Sequence, residues 1–170
     1  LKNGPKKKKW GIFLNEFREH LPFAILVSVL ALGFVILGNV LGYRFGENLF
    51  EKIHFIHLFF SAAATSMIYF HYKKNFFAGI LVGISGAILL GSLSDILFPY
   101  IVVSIFRFPA LFHLPLIEAP ALVLVFSFIG SIFGQVVKKN RFPHSAHVFL
   151  SVFASLFYLV NYVVLTGIFS

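Results

Sequence analysis

Two pairs of histidines, each followed by hydroxyl side chains, are the residues of this chain whose types and spacing could do chemistry. His54 and His57 form the first pair and precede Ser61 and Thr65. At about 100° per residue, these four side chains fall within roughly 80° of one helical face. Imidazoles at positions i and i+3 can bind one ion together, because this spacing places both rings on the same face. The pattern predicts a ligand-bearing polar stripe on an otherwise apolar helix.

A second copy of the stripe occurs near the end of the chain. His144 and His147 precede Ser151 and Ser155 in the same order. A helix that contacts only lipid would not carry such a stripe, so we expect both copies to face the interior of a helical bundle.

The two stripes belong to longer segments that repeat the same order of elements. Each segment has a His-Leu-Pro element, an apolar helix, a Gly-x-x-x-Gly pair, a polar turn and the histidine stripe. The His-Leu-Pro elements begin at His20 and His113, and the glycine pairs lie at 38–42 and 130–134. Chance rarely places six of the seven histidines at equivalent points of two segments. The sequence therefore predicts an internal repeat.

Composition indicates a membrane environment for these segments. The chain has 170 residues, of which 59% are hydrophobic and 12% charged, and its mean hydropathy is +0.92. A soluble domain has about twice this share of charged residues. The absence of Cys excludes thiolate metal sites and disulfides. The basic residues form short clusters between apolar segments, which is typical of topology signals rather than of a nucleic-acid surface.

Five apolar segments are long enough to cross a bilayer. They cover about 21–43, 53–72, 76–98, 119–137 and 145–169. Lysine and arginine are concentrated in the amino-terminal tail and in the turns at 73–74 and 138–141. These positions share one side of the membrane, so the prediction is a cytoplasmic amino terminus and an outside carboxyl terminus.

The predicted fold is thus an all-α polytopic membrane protein with a single membrane domain over 1–170. It divides into a basic tail and interfacial helix (1–19), repeat 1 (20–72), a central helix (76–98) and repeat 2 (113–169). Three crossings separate the first span from the fourth. The copies would therefore enter from opposite sides, as an inverted-topology repeat of helices 1–2 and 4–5.

Inverted topology sorts the candidate metal ligands into two sites. The outer site would contain His54, His57, His113, Asp95 and Glu118. The inner site would contain His20, His144 and His147, with His71 nearby. Asp95 is a candidate by itself, because a carboxylate within a membrane helix is costly to bury.

These ligands favour a transporter or channel for a divalent transition-metal ion. Imidazole and carboxylate groups suit zinc, iron, manganese, cobalt or nickel, and ligand type alone does not select among them. The ion would pass between the two sites along Ser61, Thr65, Ser151 and Ser155. Its partners would be the lipid bilayer and the ion, with no nucleic acid.

An enzyme is the first alternative. Asp95 or Glu118 would act as a general base beside metal-bound water at the outer site. The sequence contains no HExxH, GxSxG or phosphate-binding loop that supports this hypothesis.

Two further alternatives use the same residues differently. A b-type haem would be bound by His57 with His113, or by His71 with His147. A non-transporting subunit would bind a partner through its glycine seams at 38–46 and 130–134. Because five spans make a thin bundle with little room to enclose a pathway, a homo-oligomer is expected whichever of these functions the chain has.

Overall fold

The structure is a computed structural model and describes residues 18, 21–22, 25–34, 36–38, 40–41, 47–107, 112–137 and 142–162. Every element in this described part is helical, which confirms the all-α prediction. Apart from Arg18, the tail and interfacial helix predicted for 1–19 lie outside the described residues.

Six α-helices and one π-helical turn have assigned bounds in the described part of the chain. They are α1 (Glu47–Lys73), α2 (Phe76–Ser92), the π-helical turn (Leu93–Leu97), α3 (Phe98–Ile105), α4 (Pro115–Glu118), α5 (Pro120–Val136) and α6 (Phe142–Tyr162). Residues 25–34 and 36–38 are also helical.

A tight turn separates α1 from α2. Lys74 has a φ of 52°, in the left-handed region that ends a helix. Asn75 then caps α2, since its side-chain oxygen accepts a hydrogen bond of 3.1 Å from the Ala78 amide. The polar residues of this turn therefore fix the point at which the chain reverses.

Helix α1 is the central element, because α2, α5 and α6 all pack against it. Gly130 and Gly134 of α5 lie against the backbone carbonyls of Phe59 and Ala63, where a side chain would collide. Helix α5 therefore runs parallel to α1. The predicted glycine seam at 130–134 is an intramolecular contact, while the prediction of a homo-oligomer stays a prediction.

Helix α6 runs antiparallel to α1. The ring of Phe50, near the start of α1, contacts Tyr158, near the end of α6, with 5.4 Å between centroids. Further along α1, the ring of His57 contacts His147, near the start of α6. Phe50 and Tyr158 also belong to a buried apolar cluster with Ile96, Ala154 and Phe157.

Within the described residues, two helices are long and apolar enough, by length and composition, to cross a membrane. Leu49–Lys73 has 25 residues and a mean hydropathy of 1.4, and Phe76–Ile105 has 30 residues and a mean hydropathy of 2.2. Pro120–Val136 and Ala146–Leu159 are shorter apolar helices. The five-span topology and the inverted repeat stay predictions, and parts of the first and fifth predicted spans lie outside the described residues.

The central helix extends further than the sequence predicted. The expected span ended at Phe98, but the helix continues through Pro99 to Ile105. In an α-helix the Pro99 ring would clash with the carbonyl of Asp95. The π-helical turn widens the helix at this point, and the Phe98 amide donates to the carbonyl of Leu93. This local widening lets the helix pass a proline.

Candidate metal centre

The buried carboxylate of Asp95 is the centre of the polar interior. Asp95 lies in the π-helical turn, and its side chain is 0% exposed. A carboxylate in apolar surroundings requires hydrogen-bond donors or an ion to stabilise it. Both of its oxygens have such donors.

Two histidines of α1 face one oxygen of this carboxylate. Nδ1 of His54 lies 3.0 Å and Nδ1 of His57 lies 2.5 Å from Oδ2 of Asp95. Both histidines are almost completely buried. Their i, i+3 spacing on α1 places both rings toward the π-helical turn, as the sequence predicted for a shared ligand pair.

A third histidine joins the cluster from α6. Nδ1 of His147 lies 2.7 Å from Nε2 of His57. The two rings are stacked, with 4.7 Å between centroids and an interplanar angle of 16°. With Asp95 ionised, His57 donates from Nδ1 to the carboxylate and accepts from His147 at Nε2.

Serine hydroxyls complete the shell around the other oxygen. Oγ of Ser94 lies 2.7 Å and Oγ of Ser151 lies 3.0 Å from Oδ1 of Asp95. Ser155, one turn further along α6, donates to the backbone carbonyl of Ser94 at 3.0 Å or to that of Ser151 at 2.8 Å. The stripe predicted on α6 therefore docks along the π-helical turn.

His54, His57 and Asp95 form a group that could hold a metal ion. One ligand atom from each lies within 4.8 Å of the other two. Metal–ligand bonds of about 2.0–2.2 Å place neighbouring tetrahedral ligand atoms roughly 3.3–3.6 Å apart. Both Nδ1 atoms now lie closer than this to Oδ2, so they would have to move away from it to admit an ion. The donor set of two imidazoles and one carboxylate fits a divalent transition metal.

An ion at this position would change the direction of the histidine contact. Nδ1 of His57 would then bind the metal, and the ring proton would sit on Nε2 and be donated to Nδ1 of His147. Metal-binding histidines usually have such a partner on the second ring nitrogen, which fixes the orientation of the ring. His147 is suited to that supporting position.

His113 and Glu118 form a separate pair at the edge of the bundle. Nδ1 of His113 lies 2.5 Å from Glu118, which is 50% exposed, and Nε2 lies 3.9 Å from Glu51. The buried ring of Phe50 separates His113 from the centre, since its centroid lies 5.9 Å from that of His113 and 5.5 Å from that of His54. The structure does not bring His113 or Glu118 to the ligand atoms of the His54–His57–Asp95 group.

Of the remaining predicted histidines, His71 is the one whose side chain the structure describes, and it does not reach the centre. His71 is exposed near the end of α1, roughly 21 Å beyond His57 along the helix. That separation does not suit the haem pairing of His71 with His147, which contacts His57 instead. His20 and the side chain of His144 lie outside the described part.

The sequence assigned His57 to the outer site and His147 to the inner site, whereas the structure brings the two side chains into contact. The repeat assigned them to opposite faces, because each follows the polar turn at the start of its helix. Helix α1 begins earlier than predicted, at Glu47, so His57 lies roughly 15 Å into the helix. Helix α6 is staggered along α1, and its first turns reach this level. One buried centre contains both residues.

The four predicted pathway residues have different surroundings. Ser151 and Ser155 contact the Asp95 turn, as described above. Ser61 is 1% exposed, and its hydroxyl has no hydrogen-bond partner among the described residues. Thr65 lines a surface groove with Tyr69 and Val82.

Several polar residues of the interior were missed by the sequence reasoning. Ser94 adjoins the suspected Asp95, and this adjacency was an available signal. Ser66 accepts a hydrogen bond of 3.0 Å from Gln135, which follows the glycine pair of α5. Ser127 and Ser131 are fully buried and donate to carbonyls of their own helix. Their positions on the glycine face of α5 could have indicated that they point inward.

Comparison with known protein families, curated proteins and solved structures finds no match for this chain.

Proposed function

We propose that this chain is a multi-pass membrane protein that transports a divalent transition-metal ion through the centre formed by His54, His57 and Asp95. The observation that carries the proposal is the complete burial of two imidazoles and one carboxylate with their ligand atoms close together. His147 supports the ligand His57 from α6.

The distribution of polarity supports a membrane location. Buried side chains include His54, His57, Ser61, Ser66, Asp95, Ser127 and Ser131. Large apolar side chains face outward instead, and Phe77, Ile117 and Val136 are 78%, 75% and 73% exposed. Water would penalise this exposed apolar surface, whereas lipid would not.

The surroundings of Asp95 favour transport over the enzyme hypothesis. A general base needs a lone pair directed at a substrate proton. Both oxygens of Asp95 are instead directed at histidine nitrogens and serine hydroxyls of the protein. Glu118 is paired with His113 and lies away from the metal-ligand group. Transport needs an enclosed set of ligands, and the buried group of His54, His57 and Asp95 supplies one.

Hydroxyl groups lie on both sides of the centre along the bundle. Ser155 lies beyond Asp95 on α6, and Ser61 lies one turn beyond His57 on α1. Ser66 and Gln135 continue the polar interior toward the other end of α1. The unpartnered Ser61 hydroxyl is a group that a passing hydrated ion can bind. The proposed path therefore joins the two predicted stripes through a single centre.

Metal flux into proteoliposomes tests the proposal. Vesicles with an internal metal-sensitive dye should take up Zn²⁺ when they contain the wild-type protein. The His57→Ala variant should lose bound metal and uptake, because it removes a ligand. His71→Ala is the matched control, since it removes an exposed histidine of the same helix. Equal uptake by His57→Ala and wild type, with both variants folded, would refute the transport proposal.

A further inference from the structure

The two serines at Asp95 limit how this carboxylate can bind an ion. Oδ1 faces Ser94 at 2.7 Å and Ser151 at 3.0 Å, while Oδ2 faces both Nδ1 atoms. The hydroxyls also lie 3.2 Å from each other, so Ser151 can donate to Oδ1 or to Ser94. Ser94 donates to Oδ1 in either case. Oδ1 is therefore held by serine hydroxyls, whereas Oδ2 is directed at the place between the two histidines where an ion would bind.

We propose that Ser94 and Ser151 hold Asp95 as a one-oxygen ligand and thereby select Zn²⁺ or Co²⁺ over Mn²⁺. This inference rests on the proposed metal centre and names its ion class. Ser94 and Ser151 are positioning residues, because they act on the ion through Asp95.

The number and type of ligands explain the selection. His54 and His57 supply two nitrogens, and the restrained Asp95 supplies one oxygen. Zn²⁺ accepts four ligands in this mixture, with one position left for an exchanging group. Mn²⁺ favours oxygen ligands and octahedral geometry. A second Asp95 oxygen would help Mn²⁺ more than Zn²⁺, and the serines withhold that oxygen.

The helical elements fix the position of both hydroxyls. Ser94 lies in the π-helical turn beside Asp95, and Ser151 lies one turn after His147 on α6. The i, i+4 spacing places His147 and Ser151 on the same helical face. Ser155 continues this face and contacts the carbonyl of Ser94 or of Ser151. The packing of α6 thus places His147 beside His57 and Ser151 beside Asp95 at the same time.

Metal titrations of the purified full chain in detergent test the proposal. The measured quantity is the ratio of the Mn²⁺ and Zn²⁺ dissociation constants in wild type and in Ser151→Ala. Loss of the Ser151 hydroxyl leaves Ser94 as the one remaining described donor to Oδ1, so this oxygen is held less firmly and the ratio should fall by about tenfold, the lower end of the effect typical when a residue that supports a metal ligand is removed. Ser151→Thr retains the hydroxyl and should restore the wild-type ratio. Ser127→Ala is the matched control, since Ser127 is a buried serine bonded to its own helix.

Co²⁺ absorption gives a second readout that a general loss of stability would not produce. The intense visible bands of four-coordinate Co²⁺ should appear in wild type and weaken in Ser151→Ala as the coordination number rises. If Ser151→Ala does not fold, Ser94→Ala removes the other hydroxyl and is measured in the same way. A wild-type protein that binds no metal would overturn the proposed centre. If the wild-type protein binds Zn²⁺ but the serine variants leave the ratio of dissociation constants and the Co²⁺ bands unchanged, only the proposed role of Ser94 and Ser151 would be overturned.

Discussion

At the scale of single residues, Asp95 determines how the interior is organised. Its two oxygens receive side chains from α1, the π-helical turn and α6. Removal of any one donor would leave a buried acceptor with fewer partners, which is costly in apolar surroundings. The carboxylate therefore links the packing of three elements to the geometry of the ligand group.

His147 should support metal binding without being a ligand. We expect His147→Ala to weaken Zn²⁺ binding by about 10- to 100-fold, because it removes the partner of the His57 ring. His147→Asn should recover part of this loss, since the amide oxygen can accept from Nε2 of His57. Competition with a chelating dye measures both affinities.

The comparison with His57→Ala separates support from ligation. His57→Ala should abolish specific binding, whereas His147→Ala should retain a measurable affinity. If both variants lose binding equally, His147 is itself a ligand and the assignment to the supporting position is wrong.

The sequence identified most residues of the centre and placed His54, His57 and Asp95 in one site, but it assigned His147 to another site. The i, i+3 spacing of His54 and His57 and the unusual Asp95 were visible in the sequence, and the structure brings these three together. The contact between His57 and His147 was not visible, because it depends on the stagger between α1 and α6. Periodicity defines the face of a helix on which a residue lies, but it contains no information on the axial offset of two helices.

At the scale of elements, the π-helical turn and the glycine face of α5 position the centre. The π-helical turn carries Ser94 and Asp95 beside α1 and α6, and Pro99 favours an irregular helix at this point. The α5 glycines bring that helix onto the backbone of α1 on another side. The sequence predicted the glycine contact from GxxxG spacing. It ended the central helix at residue 98, because a π-helical turn that lets a helix pass a proline has no simple periodic signature.

Substitution of an α5 glycine should destabilise the bundle. Gly134→Ala places a methyl group against the carbonyl of Ala63, so the two helices must separate. We expect a loss of about 1–3 kcal/mol, typical of an overpacked contact. Thermal unfolding in detergent measures the change.

Gly33→Ala provides the matched control for this substitution. Gly33 is also helical, but a methyl group there would meet no atom within 4 Å. Alanine has the higher helix propensity, so this variant should be unchanged or more stable by up to about 1 kcal/mol. Equal destabilisation by both substitutions would show that close contact between α1 and α5 is not the cause.

At the scale of the whole molecule, polarity increases toward the inside of the bundle. Ionisable and hydroxyl side chains are buried around α1, while leucine, isoleucine and phenylalanine cover much of the outer surface. An apolar outer surface is what the composition predicted when it indicated a membrane environment. Low charge and long apolar segments are properties of the whole chain, so composition reveals them. Composition does not predict the number of membrane crossings as well, since Pro120–Val136 and Ala146–Leu159 are shorter than the two long helices.

The long helix Phe76–Ile105 offers a direct test of membrane topology. Its 30 residues extend about 45 Å, enough to pass through a bilayer with its headgroups. Lys73 and Phe106 flank the helix and are both exposed. Because the chain has no cysteine, Lys73→Cys and Phe106→Cys each create a single labelling site.

A membrane-impermeant maleimide should label Phe106→Cys on intact cells and Lys73→Cys only after permeabilisation. This orientation is expected because Lys73 and Lys74 form a basic turn, and basic turns stay on the cytoplasmic side. Labelling of both sites on intact cells would mean that the helix does not cross the membrane. Labelling of Lys73→Cys alone would mean that it crosses in the opposite direction. In that case the proposed metal centre would stand, but the predicted orientation of the chain in the membrane would be wrong.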